Sequence, residues 1–207
     1  MGVKRTGIMG GTFNPVHTAH LIVAEAAYEH FGFDTVMFLP SGQPAYKQIS
    51  ELLPDSQRRE LVQLAIAGNP HFSFSDLELC RAGNTYTADT ALELKSAEKD
   101  TEFYFIIGGD SLMNFERWNR PEVILRHAHL AVTGRAGIGQ EEAVFLNKAE
   151  ELRKKYSADI RFFPTPAMEI SSTDIRERIR NGRSIRYLVP DAVEQYLMEH
   201  GCFQTIY

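Results

Sequence analysis

Two short runs, one around Val3 to Met9 that ends in Ile8-Met9 and a nearly unbroken apolar one at Glu102 to Ile107, each stop at a pair of glycines, Gly10-Gly11 and Gly108-Gly109. The second run suits a central parallel strand covered on both faces, and the glycines predict a turn at the carboxyl end of each. Parallel strands must be joined by crossovers, and these are usually helices. A stretch of helical composition from His17 to His30, closed by Gly32, follows the first run. A strand at Thr35 to Leu39 stops at Pro40, a polar loop runs through Lys47 to Pro54, and a helix is predicted from about Ser56 to Ala67. Phe72 to Leu79 alternates as a half-buried strand, and Ala88 to Glu98 reads as helix. Beyond Gly109 come a helix-like segment and Trp118, a strand at His129 to Thr133 and a charged helix from about Glu141 to Tyr156. A short strand at Ile160 to Phe163 and two helices, near Ser172 to Asn181 and Asp191 to His200, complete the chain.

Alternation of this kind predicts a Rossmann-like α/β fold, a doubly wound and mostly parallel sheet with helices on both faces. A small helical part at about residues 170–207 ends it. No repeat, low-complexity tract or Pro/Gly/Ser-rich linker divides the sequence, so residues 1–207 read as a single domain. Ligands are expected at the carboxyl ends of the strands.

Charge and cysteine usage narrow the function. With 22 Lys+Arg against 27 Asp+Glu the net charge is −5, which excludes a broadly basic protein that coats nucleic acid. An anionic ligand must then be met by a local cluster of donors. Cys80 and Cys202 form no Cys-x-x-Cys pair, so neither a zinc site nor a disulfide framework is predicted, and both read as structural thiols in a reducing compartment. The first residues carry no apolar segment of signal-peptide length, and no run approaches ~20 apolar residues. A cytoplasmic protein without membrane contact is expected.

The densest chemical signal is Gly10-Gly11-Thr12-Phe13-Asn14-Pro15-Val16-His17-Thr18-Ala19-His20. Paired glycines let the backbone approach a ligand closely, and Pro15 leads into a helix whose first-turn N–H groups would face an anion. At a spacing of three, His17 and His20 share one face of that first turn, where imidazole N–H groups add to the positive end of the helix dipole. Other readings stand beside this one, because glycine pairs are common turns and histidines three apart can hold a metal. A second signal, Ile170-Ser171-Ser172-Thr173-Asp174-Ile175-Arg176, opens another helix. Ser172 or Thr173 can cap it, with Asp174 and Glu177 in its first turn. Thr173 and Arg176, three apart, would also present a hydroxyl and a guanidinium together as a second phosphate grip.

The first segment resembles the G-G-x-F-x-P-x-H-x-x-H signature of the nucleotidyltransferase superfamily, and the second is similar to its I-S-S-T-x-I-R signature. Within that superfamily the chain resembles the bacterial nicotinate-nucleotide adenylyltransferases over residues 3 to 203. The resemblance extends through Arg58-Arg59-Glu60-Leu61, Asp76-Leu77-Glu78, Arg81 to Thr90, Phe105 to Leu112 with Trp118, and Ser184 to Pro190. It implies transfer of the adenylyl group of ATP to the 5′-phosphate of nicotinate mononucleotide, without a covalent enzyme intermediate. The backbone of Gly10, Gly11, Thr12 and Phe13, with His17 and His20, would hold the ATP phosphates. Ser172, Thr173 and Arg176 would hold them from the other side, and Asp110 would lie near the ATP. Lys47 would serve both phosphates and mononucleotide, while Thr85, Tyr86, Thr87 and Trp118 would recognise the pyridine ring. His17, His20, Lys47 and Arg176 would offset the charge of the reacting phosphates. The implied partners are these two small molecules, with Mg²⁺ carried mainly by the ATP phosphates and no metal ligands from the protein. A homo-oligomer is left open, and nucleic acid and membrane are not implied.

Two positions depart from the family pattern. Asn14 stands where an Asp is common before the proline, and Pro44-Ala45-Tyr46-Lys47 replaces Pro-Pro-His-Lys. Asn can make the same local hydrogen bonds as Asp if residue 14 only shapes the turn. Tyr46 puts a charged role at that position in doubt but leaves Lys47 in place. Acceptors other than nicotinate mononucleotide stay open too: nicotinamide mononucleotide, or phosphopantetheine, against which the length and the Thr85 to Thr90 and Trp118 segments argue. A nucleotide sensor without turnover is the alternative of a different class.

Overall fold

A computed structural model describes residues 2–44, 52–135 and 139–204. In chain order the elements are β1 (Lys4–Gly11), α1 (Thr18–Phe31), β2 (Thr35–Pro40), β3 (Gln43–Pro44), α2 (Asp55–Ile66), β4 (Phe72–Phe74), β5 (Asn84–Thr85) and α3 (Thr87–Ala97). They continue with β6 (Thr101–Gly108), α4 (Gly109–Met113), a 3₁₀ turn at Phe115–Arg117, α5 (Pro121–His127), β7 (His129–Arg135), α6 (Gly139–Tyr156), β8 (Ile160–Thr165), α7 (Ser172–Arg180) and α8 (Asp191–Glu199). Six strands form one sheet in the order β4-β2-β1-β6-β7-β8, every pair parallel, and β3 and β5 form a separate two-stranded parallel pair. The expected doubly wound α/β sheet is therefore present.

Strand alternation builds two cores, one on each face of the sheet. Met9, Phe38, Ile106, Ala131 and Phe163 point to the face covered by α1, α2, α7 and α8, where they meet Ala24, Leu61, Ile175 and Leu197. Their neighbours Ile8, Leu39, Phe105, Ile107, Leu130 and Val132 point the other way, to Ala91 of α3, Leu112 of α4, Ile124 of α5 and Leu152 of α6. The helical end of the chain thus packs on the same face as the first two helices.

From β1 the chain winds outward through β2 and β4, then returns to β6 and winds outward through β7 and β8. The order reverses between β1 and β6, and there the loops leaving the strands part to form a crevice. Gly11 and Gly108, the last residues of those two strands, stand at its mouth. Gly32 ends α1 at φ 61°, the left-handed cap that glycine adopts without a Cβ penalty.

Three local expectations change. The strand expected at Phe72 to Leu79 is confined to Phe72–Phe74. Beyond it Ser75 Oγ accepts from the Leu77 N–H, and the Cys80 and Arg81 N–H groups donate to Asp76 and Glu78, so local turns replace the ladder on this edge strand. Helix α5, after Trp118, is absent from the sequence reading, although Pro121 at its first position and Glu122 beside it are start signals. β3 and β5, two residues each, are too short for a periodic signal.

Candidate active site

The loop leaving β1 is shaped by Phe13, buried at φ 49°, whose ring meets His20 edge-on at 5.0 Å. His17 is the extended N-cap residue of α1, only 6% exposed, and its ring stacks on that of His20 with centroids 3.7 Å apart. The His17 N–H donates to His20 Nδ1 at 3.2 Å. A neutral His20 that accepts at Nδ1 carries its proton on Nε2, where it can be donated to a ligand.

Burial pushes the pKa of His17 down to about 4 and that of His20 well below its ordinary value, the latter helped by repulsion from His17. Before a ligand arrives both imidazoles are therefore uncharged near neutrality. Uncharged, they can serve as the N–H donors that the spacing of three suggested, and the cause of the shift is desolvation. The helix end departs from expectation. The Thr18 N–H donates to the Leu188 carbonyl at 2.9 Å and the Thr18 hydroxyl to that of Tyr187 at 3.1 Å, so this first-turn donor is already used by the segment preceding α8.

The second motif lands on the first. Ser172 Oγ donates to the Pro15 carbonyl at 2.9 Å, and Arg176 Nη1 donates to the Asn14 carbonyl at 2.9 Å. Arg176 Nη2 also meets Thr173 Oγ1 at 3.3 Å, as their spacing of three predicts. The cap of α7 is Ser171, which accepts from the Asp174 N–H at 3.1 Å, not Ser172 or Thr173. That shift by one residue releases Ser172 to reach the turn after β1.

Beside this junction lies a cavity of about 790 Å³ at the carboxyl ends of β6, β7 and β8. Asp110 and Thr133 contribute polar groups, while Phe145, Phe162, Pro164 and Met168 give it apolar walls. Gly109 admits the Phe145 ring, since a Cβ there would stand 2.5 Å from it. These apolar residues carried no motif in the sequence; their positions at strand ends and on the facing helix α6 bring them together.

The segments expected to recognise the mononucleotide lie at the amino end of α3. Thr85 is buried in β5 and pairs with Pro44 of β3, Tyr86 is the N-cap of α3 and Thr87 its first residue. Trp118 is half-buried and packs on Phe115 with ring centroids 5.1 Å apart. Arg120, two residues on, bonds Asp89 in the first turn of α3 at 2.5 Å and so ties the Trp118 loop to the Thr85 to Thr87 segment. Below that segment the Thr90 hydroxyl donates to the buried Glu78 carboxylate at 2.6 Å, with Arg81 on Thr90 at 3.1 Å. Burial raises the Glu78 pKa, against the pull of Thr90 and Arg81. Lys47, with Ala45 and Tyr46, lies outside the described residues. At the other departure, Asn14 Oδ1 accepts the Leu53 N–H at 3.0 Å, so the amide keeps the acceptor that a carboxylate would have supplied.

The cytidylyltransferase-like family matches residues 8–178. A protein of Lachnoclostridium phytofermentans named "Probable nicotinate-nucleotide adenylyltransferase" is 51% identical over 97% of this chain and 100% of its own length. A relative of the same name from Dehalococcoides mccartyi is 38% identical over 96% of this chain and 97% of its own. The solved structure of Plasmodium falciparum nicotinic acid mononucleotide adenylyltransferase complexed with NaAD shares the fold at a TM-score of 0.78 and 18% identity, covering 97% of each chain. The chain belongs to the nicotinate-nucleotide adenylyltransferases, within the cytidylyltransferase-like nucleotidyltransferases.

Proposed function

We propose that this chain transfers the adenylyl group of ATP to the 5′-phosphate of nicotinate mononucleotide, giving deamido-NAD and pyrophosphate. The observation that carries the reading is the meeting of the two signature segments, Ser172 and Arg176 on the turn that leads to His17 and His20, in a chain 51% identical to a relative so named. The phosphate monoester has a second pKa near ~6 and attacks as a dianion, so no side chain need remove a proton. What opposes reaction is repulsion, about 4 kcal/mol for each pair of unit charges 4 Å apart at an effective dielectric of 20.

The N–H donors of His17 and His20, the fork of Arg176, the hydroxyl of Thr173, and Lys47 are proposed to offset that repulsion, while Ser172, whose one hydroxyl proton goes to the Pro15 carbonyl, is proposed to hold the turn beside the phosphates. A bound polyphosphate would in turn favour the charged imidazoles, raising their pKa values on binding. In-line alignment of the two phosphates can lower the barrier by roughly 7–11 kcal/mol more. We assign the adenosine end of ATP to the cavity beside Asp110, and the pyridine ring to Trp118 with Thr85, Tyr86 and Thr87. Among the described residues no three His, Cys, Asp or Glu side chains gather as a metal site, and the crevice offers mainly donors. That donor set suits Mg²⁺ that enters on the triphosphate oxygens and neutralises part of their charge. Residues 1–207 are proposed to act as one domain in the cytoplasm; among the described residues no helix is long and apolar enough to cross a membrane.

A product assay with ATP, Mg²⁺ and either nicotinate or nicotinamide mononucleotide tests the reading. Higher kcat/KM for the acid is expected. Comparable rates would overturn the acid specificity, and no dinucleotide from either acceptor would overturn the reaction.

A further inference from the structure

Arg58, in the first turn of α2, is fully buried on the same helix face as Leu61 and Val62, three and four positions on, which with Ile66 seat the helix. A guanidinium has five N–H donors in a rigid fork. Here it makes five contacts. Nε donates to the Leu53 carbonyl at 3.3 Å, and Nη1 to those of Thr12 at 2.9 Å and Ser41 at 2.6 Å. Nη2 reaches the Gly42 carbonyl at 3.5 Å and the Asp55 carboxylate at 2.5 Å.

Two of the three segments so joined leave the adjacent strands β1 and β2, where the Ser41 N–H donates to the Gly11 carbonyl at 2.8 Å, and Arg58 carries that link beyond the last rung of the ladder. Thr12 precedes Phe13, whose ring meets His20 in the proposed triphosphate half of the site. Ser41 and Gly42 leave β2, and Gly42 lies so close to the mononucleotide half that an added Cβ would stand 2.9 Å from Thr85 Cγ2 and 2.5 Å from the Glu78 carbonyl. Leu53 donates its N–H to Asn14, closing the set onto the turn that Ser172 and Arg176 also hold.

We propose that Arg58 is a positioning residue that sets the triphosphate half of the site against the mononucleotide half, through the backbone carbonyls of Thr12, Ser41 and Gly42. This rests on the adenylyl-transfer reading given above. In-line attack is sensitive to the relative placement of two substrates held by different loops, and a displacement of about 1 Å can cost about 100-fold in rate. Lysine keeps the charge at 58 but is a single point with three donors, so it cannot serve all of these acceptors.

The test compares Arg58→Lys and Arg58→Ala with Ile160→Ala, a buried substitution at the amino-terminal end of β8, each assayed well below its own melting midpoint. Arg58→Lys is expected to lower kcat about 10- to 100-fold while the KM for each substrate stays within about threefold. Methylguanidinium at millimolar concentration is expected to restore part of the rate to Arg58→Ala. Ile160→Ala is expected to lose melting temperature but keep its kcat. A kcat for folded Arg58→Lys within about twofold of the parent would overturn the proposal, as would an equal loss in Ile160→Ala. If neither Arg58 variant folds, Asp55→Ala, which removes the exposed partner of the fork, carries the test: a severalfold loss of kcat supports the proposal and an unchanged kcat overturns it. A parent protein that forms no dinucleotide refutes the underlying reading instead.

Discussion

The carbonyl of Asn14 accepts a hydrogen bond from Nη1 of Arg176 at 2.9 Å, although the two residues are 162 positions apart in the chain. That contact fastens the start of α7 to the loop leaving β1, and it brings a guanidinium to the turn ahead of His17. Because the other Nη contacts Thr173 Oγ1, the plane of the fork is held as well as its position.

Arg176→Lys is therefore expected to lower kcat/KM about 10- to 100-fold with only a small change in melting midpoint, since a point charge cannot bond the turn and a phosphate in the same orientation. Steady-state kinetics beside a thermal melt check this. Parental kcat/KM in the folded variant would remove the residue from the reaction.

His17→Ala and His20→Ala are each expected to reduce turnover by roughly tenfold to a thousandfold while the protein stays folded. The two effects should be strongly non-additive, because the two rings stack on each other. A double variant whose loss equals the product of the two single losses would show that they do not act as a unit.

The neutral histidines make stability depend on pH. The pKa of His17 falls from an ordinary 6.5 to about 4 on folding, so between those values the unfolded chain binds more protons than the native one. Stability is therefore expected to decline as pH drops from about 6.5 toward 4, by about 3 kcal/mol for His17 alone, with His20 acting in the same direction. Urea unfolding across this range, compared between the parent and His17→Ala, measures it. Equal slopes in the two proteins would refute the assignment.

Trp118→Ala is expected to raise the KM for the mononucleotide and leave that for ATP unchanged. Gly42→Ala should give the same pattern with a destabilisation of about 1–3 kcal/mol, because the new Cβ meets a carbonyl oxygen at 2.5 Å that cannot turn aside as a flexible side chain would. A defect confined to ATP in either variant would overturn the division of the site.

Local periodicity and turn chemistry are encoded in short stretches of residues and were readable without the fold. Ile8 and Met9, like Phe105 and Ile106, face opposite cores because strand side chains alternate, and Gly32 ends α1 because it accepts a positive φ. Both signature segments were legible for the same reason, each being a short stretch whose residues act at fixed spacing. The tertiary structure decided which groups those segments meet and in what state. Ser171 caps α7 and so leaves Ser172 to bond the Pro15 carbonyl, a neighbour distant in sequence that only the closed fold brings near. The histidines are uncharged because the fold removes water from them, a property of their surroundings and not of their spacing. Arg58 stands in sequence inside a segment of family resemblance with no role attached to it, and only the convergence of three loops around it turns it into a buried fork with its acceptors in place. Hydrogen bonds across long sequence separations and desolvation both depend on how the chain closes on itself, and neither leaves a periodic trace in the residues involved.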